Sequence, residues 1–244
     1  MIRGIYIAAS GLLAESARQD VVANNLANAT TAGFKGAEAV SRPFGDMLLS
    51  SQGATNRAGI GTLSMGSEVS AVQRIEGQGP VRHTGNALDL ALVGDGYLTV
   101  DTPAGRRYTR DGSLGIDDTG RLVTAEGNAV LGTGGAPIRL DRGEVAIATD
   151  GTVTQGTAVR GRLMLTALDP GTVVREGANL LAGTPAGAAQ PTVRQSHLEG
   201  STVNVVSEMV ELIRVMRSFE AGQKAVQSHD EALQGSITKV GGAG

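Results

Sequence analysis

Apolar residues recur at helical spacing near the C-terminal end of this 244-residue chain. One row repeats every seven residues and consists of Val205, Leu212, Phe219, Val226, Leu233 and Val240. A second row contains Met209, Met216 and Ile237 and is interrupted by Gln223 and Asp230. Two apolar rows at this spacing are typical of a helix that packs lengthwise against another helix. The pattern predicts an amphipathic helix over about residues 203–240.

The N-terminal end shows a weaker form of the same pattern. Ile5, Leu12 and Leu26 keep the seven-residue spacing, with Gln19 in place of a fourth apolar residue. Small alanines widen this stripe and favour a close approach between helices. The sequence predicts a helix over about residues 1–28. It is expected to stop near Asn28, because asparagines there precede a Thr-Thr-Ala-Gly run that favours caps and turns.

Neither end helix can bury its apolar stripe alone, and apolar surface left in water costs roughly 25 cal/mol per Å². Each helix must pack on the other one, on a second copy or on a different protein. A hairpin that closes one globular domain and an intermolecular assembly both fit the periodicity. Both interpretations stay open on the pattern alone.

Between these ends, short alternating runs separated by turn residues predict antiparallel hairpins from about residue 88 to 168. Turns are expected at residues 95–96, 103–105, 117–120 and 150–151. Residues 36–80 are predicted to be an extended connector, with one possible short helix at 44–49, and residues 171–200 are predicted to be loop-rich.

The predicted fold class is α+β, with long N- and C-terminal helices packed as a coiled-coil-like pair and a central antiparallel β domain. We expect an N-terminal helix at 1–35, a connector at 36–80, a β domain at 81–200 and a C-terminal helix at 201–244.

The composition of the chain argues against several classes of function. The net charge is −3 and the 21 basic residues are scattered, which argues against nucleic-acid binding. The chain contains no cysteine, which removes disulfides, thiolate metal sites and cysteine nucleophiles. No cleavable signal pattern and no long uncharged apolar stretch occur, so we expect a soluble protein without direct membrane insertion.

The chain offers little that suggests chemistry. His83, His197 and His229 lie far apart, and none has another His at metal-ligand spacing. A glycine cluster at 132–135 is not followed by the helix and the Lys-Ser/Thr pair of a phosphate loop. We therefore expect no catalytic, metal or cofactor site. An enzyme of the β domain remains a rival hypothesis, and it requires an exposed His-carboxylate pair in a cleft.

Several motifs resemble one known family. The N-terminal motif consists of Asn24, Asn25, Leu26 and Asn28, followed by Thr31, Gly33, Phe34 and Lys35. Further stretches at 84–96, 108–113, 203–210 and 217–220 follow in the same order. Together they resemble the bacterial flagellar rod and hook proteins over nearly the whole chain. The run at 129–138 looks most like the proximal rod protein, and the distal rod protein is the nearest rival.

The resemblance implies a structural subunit of the flagellar rod, which transmits torque from motor to hook and contains no cofactor. It implies terminal helices in the inner layer of a tube, and unfolded export into the periplasm through the flagellar type III apparatus. The implied partners are copies of the chain, other rod proteins, the surrounding ring proteins and the export apparatus. The residues expected in intersubunit packing are Ile5, Leu12, Leu26, Val205, Met209, Leu212, Met216, Phe219, Val226 and Leu233. An exported binding module that grips one partner with its helices is the alternative.

Overall fold

The structure is a computed structural model that describes residues 2–43, 47–50, 59–63, 66–141, 143–177 and 179–241. The chain forms two compact units. Unit 1 contains Met1–Ala27, Ala37–Ile75 and Asn204–Gly244, and unit 2 contains Asn28–Gly36 and Glu76–Val203. The α+β class, with one helix at each end and a central β region, is confirmed.

Unit 1 contains both long helices and four strands. Its elements are α1 (Ile2–Ala27), β1 (Ala37–Pro43), β2 (Met47–Ser50), β3 (Gly59–Leu63), β4 (Ser67–Arg74) and α2 (Val205–Gly241). Strand β1 pairs antiparallel with β4, and β2 pairs antiparallel with β3. Helix α1 contacts α2, β1 and β4. Across the described residues, no helix combines the length and apolar character needed to cross a membrane.

Helix α2 begins where an asparagine caps it. The Asn204 side-chain oxygen accepts hydrogen bonds from the backbone N–H of Val206 at 3.0 Å and of Ser207 at 3.2 Å. These bonds satisfy two of the N–H groups that a helix start leaves without partners. Glu208 lies in the first turn, where a negative charge favours the helix dipole.

The face of α2 that packs within unit 1 follows a regular alternation of three and four residues. Its half-buried members include Leu212, Phe219, Val226 and Leu233 from the predicted first row. The accompanying row is not the predicted one of Met209 and Met216, which are exposed, but Val215, Gly222 and His229. The side chains of Ile237, from the predicted second row, and of Val240 lie outside the described residues.

Glycines allow α1 and α2 to approach closely at two points. A Cβ placed at Gly222 would lie 2.9 Å from Leu12 Cδ2, and one at Gly4 would lie 2.9 Å from His229 Nε2. A search for apolar periodicity does not find this second row, because Gly222 and His229 are not large apolar residues. The sequence therefore missed which side of α2 faces α1.

Residues 36–80, expected as an extended connector, contain the strand pairs β1–β4 and β2–β3. Of the possible short helix at 44–49, residues 47–49 lie in β2, and residues 44–46 lie outside the described residues. The pairing of β1 with β4 joins residues more than 20 positions apart, which local patterns do not reveal.

Unit 2 is built from short strands, with a 3-10 helix at Pro170–Thr172. The strands are β5 (Val81–His83), β6 (Leu90–Val93), β7 (Tyr97–Thr102), β8 (Gly105–Thr109), β9 (Leu114–Ile116), β10 (Leu122–Thr124), β11 (Ala129–Val130), β12 (Val145–Ile147), β13 (Thr152–Gln155), β14 (Ala158–Arg162), β15 (Leu165–Leu168), β16 (Val174–Glu176), β17 (Leu180–Ala182), β18 (Pro185–Ala188), β19 (Thr192–Gln195) and β20 (His197–Glu199).

One sheet of nine strands dominates unit 2. It runs β16-β17-β8-β7-β11-β10-β9, and β15 pairs with both β7 and β18. A three-stranded sheet β12-β13-β14 and the pairs β19-β6 and β20-β5 complete the strands. The core between them is aliphatic. Its most deeply buried members include Leu90, Leu92, Leu98, Val100, Leu122, Val130, Val153, Leu163 and Val193.

Three of the predicted hairpins are confirmed, namely β7–β8, β9–β10 and β12–β13. The turn residues act as expected. Asp117 Oδ1 accepts from the backbone N–H of Thr119 at 2.9 Å and of Arg121 at 2.8 Å, which closes the β9–β10 turn. These hydrogen bonds lower the pKa of Asp117.

Two predictions for this region are wrong. Residues 95–96 do not form a hairpin turn, because β6 pairs with β19 and β7 pairs with β8, β11 and β15. The chain changes sheets there, and Gly94 and Gly96 at positive φ allow the bend. Residues 171–200 are not mainly loop but contain β16 to β20. These strands are short and contain few buried apolar residues, so they lack the apolar alternation by which strands are recognised.

Candidate assembly interface

The residues predicted to pack between subunits fall into two groups. Seven are half-buried within unit 1, namely Ile5, Leu12, Leu26, Leu212, Phe219, Val226 and Leu233. The other three, Val205, Met209 and Met216, are exposed on α2. The first group is partly buried within unit 1, where α1 contacts α2, β1 and β4, and the second group lies on the surface.

The exposed group belongs to a longer apolar stripe on the first half of α2. We call it the exposed α2 face, and its members are Val205, Val206, Met209, Val210, Ile213 and Met216. Their spacing of three and four residues places them on one side of the helix. Val206 is 71% exposed and Ile213 is 51% exposed.

Sequence reasoning missed Val206, Val210 and Ile213 as packing residues. The two predicted seven-residue rows contain residues 205, 212 and 219 and residues 209 and 216, and they leave out residues 206, 210 and 213. The spacing of residues 206, 209, 210 and 213 follows the i, i+3, i+4, i+7 rule, and that signal could have found them.

Helix α1 also exposes large apolar side chains. Tyr6 is 71% exposed and Leu13 is 73% exposed, and they lie seven residues apart, on one side of the helix. Exposed apolar side chains that form a contiguous surface are typical of protein–protein interaction sites. Both helices of unit 1 thus present apolar surface that their intramolecular contact does not cover.

The family-motif residues near the end of α1 have local structural roles. Asn25 is buried, donates from Nδ2 to Ala37 O at 2.7 Å and accepts the Ala37 N–H at 2.9 Å. Asn28 accepts from Thr31, at 3.2 Å from its backbone N–H and at 3.3 Å from its hydroxyl. Asn24 is exposed on the last turns of α1.

The remaining motif residues lie in unit 2. Gly33 has a φ of +67°, and a Cβ there would lie 2.4 Å from the backbone carbon of Arg110. Phe34 is buried, and the Arg175 guanidinium lies 4.3 Å from the centroid of its ring. Only glycine fits the first position, and the second fills a pocket beneath a cation.

A buried ion cluster lies beside this segment. Glu199 is fully buried and accepts from Lys35 Nζ and, at 3.2 Å, from Arg110 Nη1. Lys35 and Arg110 belong to the quoted motifs, but sequence reasoning did not connect either one to Glu199. Lys35 and Glu199 are 164 positions apart, and no local pattern joins them.

The histidines, which are far apart in sequence, are partly brought together. His83 and His197 pair across β5 and β20 with ring centroids 5.0 Å apart at 64°. His197 Nδ1 lies 2.7 Å from Gln195 O. Within the part of the chain that the structure describes, no three His, Cys, Asp or Glu side chains group to hold a metal ion.

Three segments match known family descriptions. Residues 5–35 match "Flagella basal body rod protein", residues 91–155 match "Flagellar hook protein FlgE/F/G D1 domain", and residues 194–238 match "Flagellar basal body rod FlgEFG protein C-terminal". The matches include α1 with the motif segment, the central part of unit 2, and most of α2.

Curated relatives are similar to this chain over nearly its full length. The chain is 33% identical to "Flagellar basal-body rod protein FlgF" of Rhizobium meliloti in an alignment 254 positions long that covers 100% of both chains. It is 34% identical to the FlgF protein of Caulobacter vibrioides, covering 99% of both. It is 32% identical to "Flagellar basal-body rod protein FlgG" of Bacillus subtilis, covering 96% of this chain and 97% of the relative.

The chain therefore belongs to the flagellar basal-body rod protein family. It is a structural subunit of the rod and is located in the flagellar basal body. The resemblance noted in the sequence is confirmed.

Proposed function

We propose that this chain is a subunit of the proximal rod, which assembles helically into a hollow shaft and transmits motor torque to the hook. Its role is structural and not catalytic. The exposed α2 face is the observation that carries the proposal. Apolar surface of this kind gains roughly 25 cal/mol for each Å² that a neighbouring subunit removes from water.

Helices α1 and α2 form the inner layer of the shaft in this proposal. The half-buried residues around Leu12 and Phe219 hold the two helices together as a coiled-coil-like pair. Val205, Met209 and Met216, with the other members of the exposed α2 face, pack against adjacent subunits. A heterologous contact that does not close on itself generates a helical filament, so no internal symmetry is needed.

The proximal position rests on the run at 129–138, which looks most like the proximal rod protein. Two kinds of relative, named FlgF and FlgG, match nearly the whole chain, so the comparisons support a rod subunit without separating its two positions. The distal rod is therefore the second candidate. Locating the chain along purified basal bodies with an epitope tag and gold-labelled antibody distinguishes the two positions. A label at the hook-proximal end would support the distal candidate.

The partners we propose are copies of this chain, adjacent rod proteins and the surrounding ring proteins, together with the flagellar type III export apparatus. Export of the unfolded chain by that apparatus delivers it to the periplasmic part of the rod. This route requires no cleaved signal segment.

The assembly proposal is tested by changing one exposed apolar residue. Ile213→Asp places a charge on the exposed α2 face, and Gln227→Asp places the same charge at an exposed polar position of the same helix. Each variant replaces the wild-type chain in a strain that lacks it. Swimming in soft agar and electron microscopy of basal bodies report rod assembly.

We expect Ile213→Asp to weaken subunit association about 100-fold, because the carboxylate would be desolvated in the interface. Rods should then be missing, while the purified variant melts at the wild-type temperature. Gln227→Asp should assemble. Normal rods with Ile213→Asp would refute the interface, and intact rods after deletion of residues 203–244 would refute the structural role and favour an exported binding module.

A further inference from the structure

Glu199 is the centre of a charge cluster inside unit 2. Its Oε1 accepts from Lys35 Nζ and from the Gly79 N–H at 2.8 Å, and its Oε2 accepts from Arg110 Nη1 at 3.2 Å. Lys35 Nζ also donates to Gly77 O. Two cations thus share one buried carboxylate.

Backbone hydrogen bonds align the motif segment with the chain that follows Glu199. The Gly33 N–H donates to Glu199 O at 2.8 Å, and the Thr202 N–H donates to Phe34 O at 3.1 Å. The Gly36 N–H donates to Thr202 Oγ1 at 3.0 Å. Residues 33–36 are held along residues 199–202 by both main-chain and side-chain groups.

Arg175 fixes the same segment from β16. Its guanidinium stacks 4.3 Å from the Phe34 ring centroid and donates to Lys35 O. The segment therefore contacts other parts of unit 2 through the buried ring of Phe34, the buried ammonium group of Lys35 and hydrogen bonds of its backbone.

The residues of the cluster differ in how much their removal should destabilise unit 2. Removing Glu199 takes away the carboxylate that both Lys35 and Arg110 contact, and losing one partner of a buried ion pair is strongly destabilising. Removing Lys35 leaves Glu199 with its hydrogen bonds from Arg110 and from the Gly79 N–H. Burial lowers the pKa of Lys35, and its hydrogen bond with Glu199 opposes that shift.

We propose that Lys35, Glu199 and Arg110 form an internal latch that positions the motif segment 28–36 in unit 2. The motif at 31–35 is then recognised by this chain itself and is not a docking site for another molecule. The residues next to the segment, Ala27 and Ala37, belong to unit 1. The latch therefore fixes where the chain passes into and out of unit 2, and Lys35 and Glu199 are positioning residues.

Hydrogen exchange of the purified full-length chain tests the latch. The variants are Lys35→Met and Glu199→Gln, and the matched control is Glu176→Gln, which removes the exposed Arg107–Glu176 pair of the same unit. The amides of Gly33, Gly36, Gly79 and Thr202 report the latch. The amides of the β7–β8 ladder report the core of unit 2.

We expect Lys35→Met to reduce protection of the Gly33, Gly36 and Thr202 amides about 100-fold, with wild-type protection in β7 and β8. Glu199→Gln should affect the same amides more strongly and also the Gly79 amide. Glu176→Gln should change none of them. Should Glu199→Gln fail to fold, Lys35→Met decides the question alone.

Two outcomes would overturn the latch. Unchanged protection at Gly33 and Gly36 in Lys35→Met would overturn the latch, and loss of rod assembly in cells by the same variant would then show that the motif contacts another molecule. Equal loss of protection in the segment and in the β7–β8 ladder would show that Lys35 stabilises the whole of unit 2 and does not specifically position the segment. The exchange results do not bear on whether the chain is a rod subunit, because exchange is measured on the unassembled protein.

Discussion

Gly33 has no room for a side chain, and its backbone conformation is one that other residues rarely adopt. A Cβ there would lie 2.5 Å from the Arg110 carbonyl oxygen and 2.7 Å from the Asp111 N, at a φ of +67°. The family motif at this position thus has a steric cause within the chain.

We predict that Gly33→Ala destabilises unit 2 by about 3 kcal/mol, the sum of a left-handed backbone and a forced backbone shift. Gly127→Ala is the matched control, because Gly127 has a φ of +84° and a Cβ placed there would meet none of the described residues within 4 Å. The control should lose only about 1–2 kcal/mol. Urea unfolding followed by tyrosine fluorescence measures both, and equal losses would contradict a steric requirement at Gly33.

Asp111 is a second residue whose surroundings determine its behaviour. Burial raises the pKa of this carboxyl above the ordinary value of 3.8, although hydrogen bonds from Ser113 and Asn179 oppose the shift. The folded protein holds this proton more tightly than the unfolded chain does. The stability that it contributes is therefore complete below pH 3.8 and is lost as the pH rises through the folded pKa.

We predict that Asp111→Asn is more stable than the wild type at neutral pH and that this advantage disappears toward pH 3.8. The Asn179 Oδ1 is buried and makes no hydrogen bond within the described part of the chain, so rotation of that amide would let it accept from the new Asn side chain. Urea titrations at several pH values measure the difference, to which other carboxyls contribute equally in both proteins. A difference that does not change with pH would refute the role of burial.

At the scale of elements, α2 has two apolar faces with different uses. One face, around Val215 and Phe219, packs within unit 1, and the other is the exposed α2 face. A helix that is apolar on more than one side needs more than one partner. This division explains why the two predicted seven-residue rows did not describe the helix.

The two helical glycines Gly222 and Gly235 test how closely α1 and α2 pack. A Cβ at Gly222 meets Leu12 at 2.9 Å, whereas one at Gly235 meets no described residue within 4 Å. We predict that Gly235→Ala stabilises α2 by up to about 1 kcal/mol through helix propensity. Gly222→Ala should gain less or lose stability, because Leu12 must move. Circular dichroism during thermal unfolding measures both, and equal gains would contradict close packing at Gly222.

Phe219 and Ile213 separate folding of the subunit from its assembly. Phe219 is half-buried on the face toward α1, so we predict that Phe219→Asp lowers the melting temperature of the purified chain and abolishes motility. Ile213→Asp should abolish motility without lowering the melting temperature. Normal swimming with Phe219→Asp, or a wild-type melting curve for it, would contradict the place of Phe219 in the α1–α2 contact.

At the scale of the whole molecule, a rod subunit must be both a folded body and part of a continuous shaft. The buried aliphatic core of unit 2 supplies the first property, and it includes Leu98, Val100 and Leu122. The uncovered helical surfaces of unit 1 supply the second in our proposal. Because each subunit contacts several neighbours in a helical wall, modest affinities at each contact suffice.

The sequence by itself determined the two amphipathic ends, the α+β class, the hairpins at 103–105, 117–120 and 150–151, and the family. The ends, the class and the hairpins follow from periods of 3.6 and 2 residues and from turn residues, all of which act between near neighbours. The family follows from the resemblance of its motifs, such as the one that contains Asn24, Asn25 and Leu26. They can be recognised without knowing where distant parts of the chain lie.

Only the tertiary structure decided which row of α2 faces α1, that the chain changes sheets at 94–96, and that Lys35 reaches Glu199. Gly222 and His229 carry no apolar signal, and the ion cluster joins residues 164 positions apart. Such contacts depend on which surfaces meet when the whole chain closes, and the free energy of closure is not encoded in any local pattern.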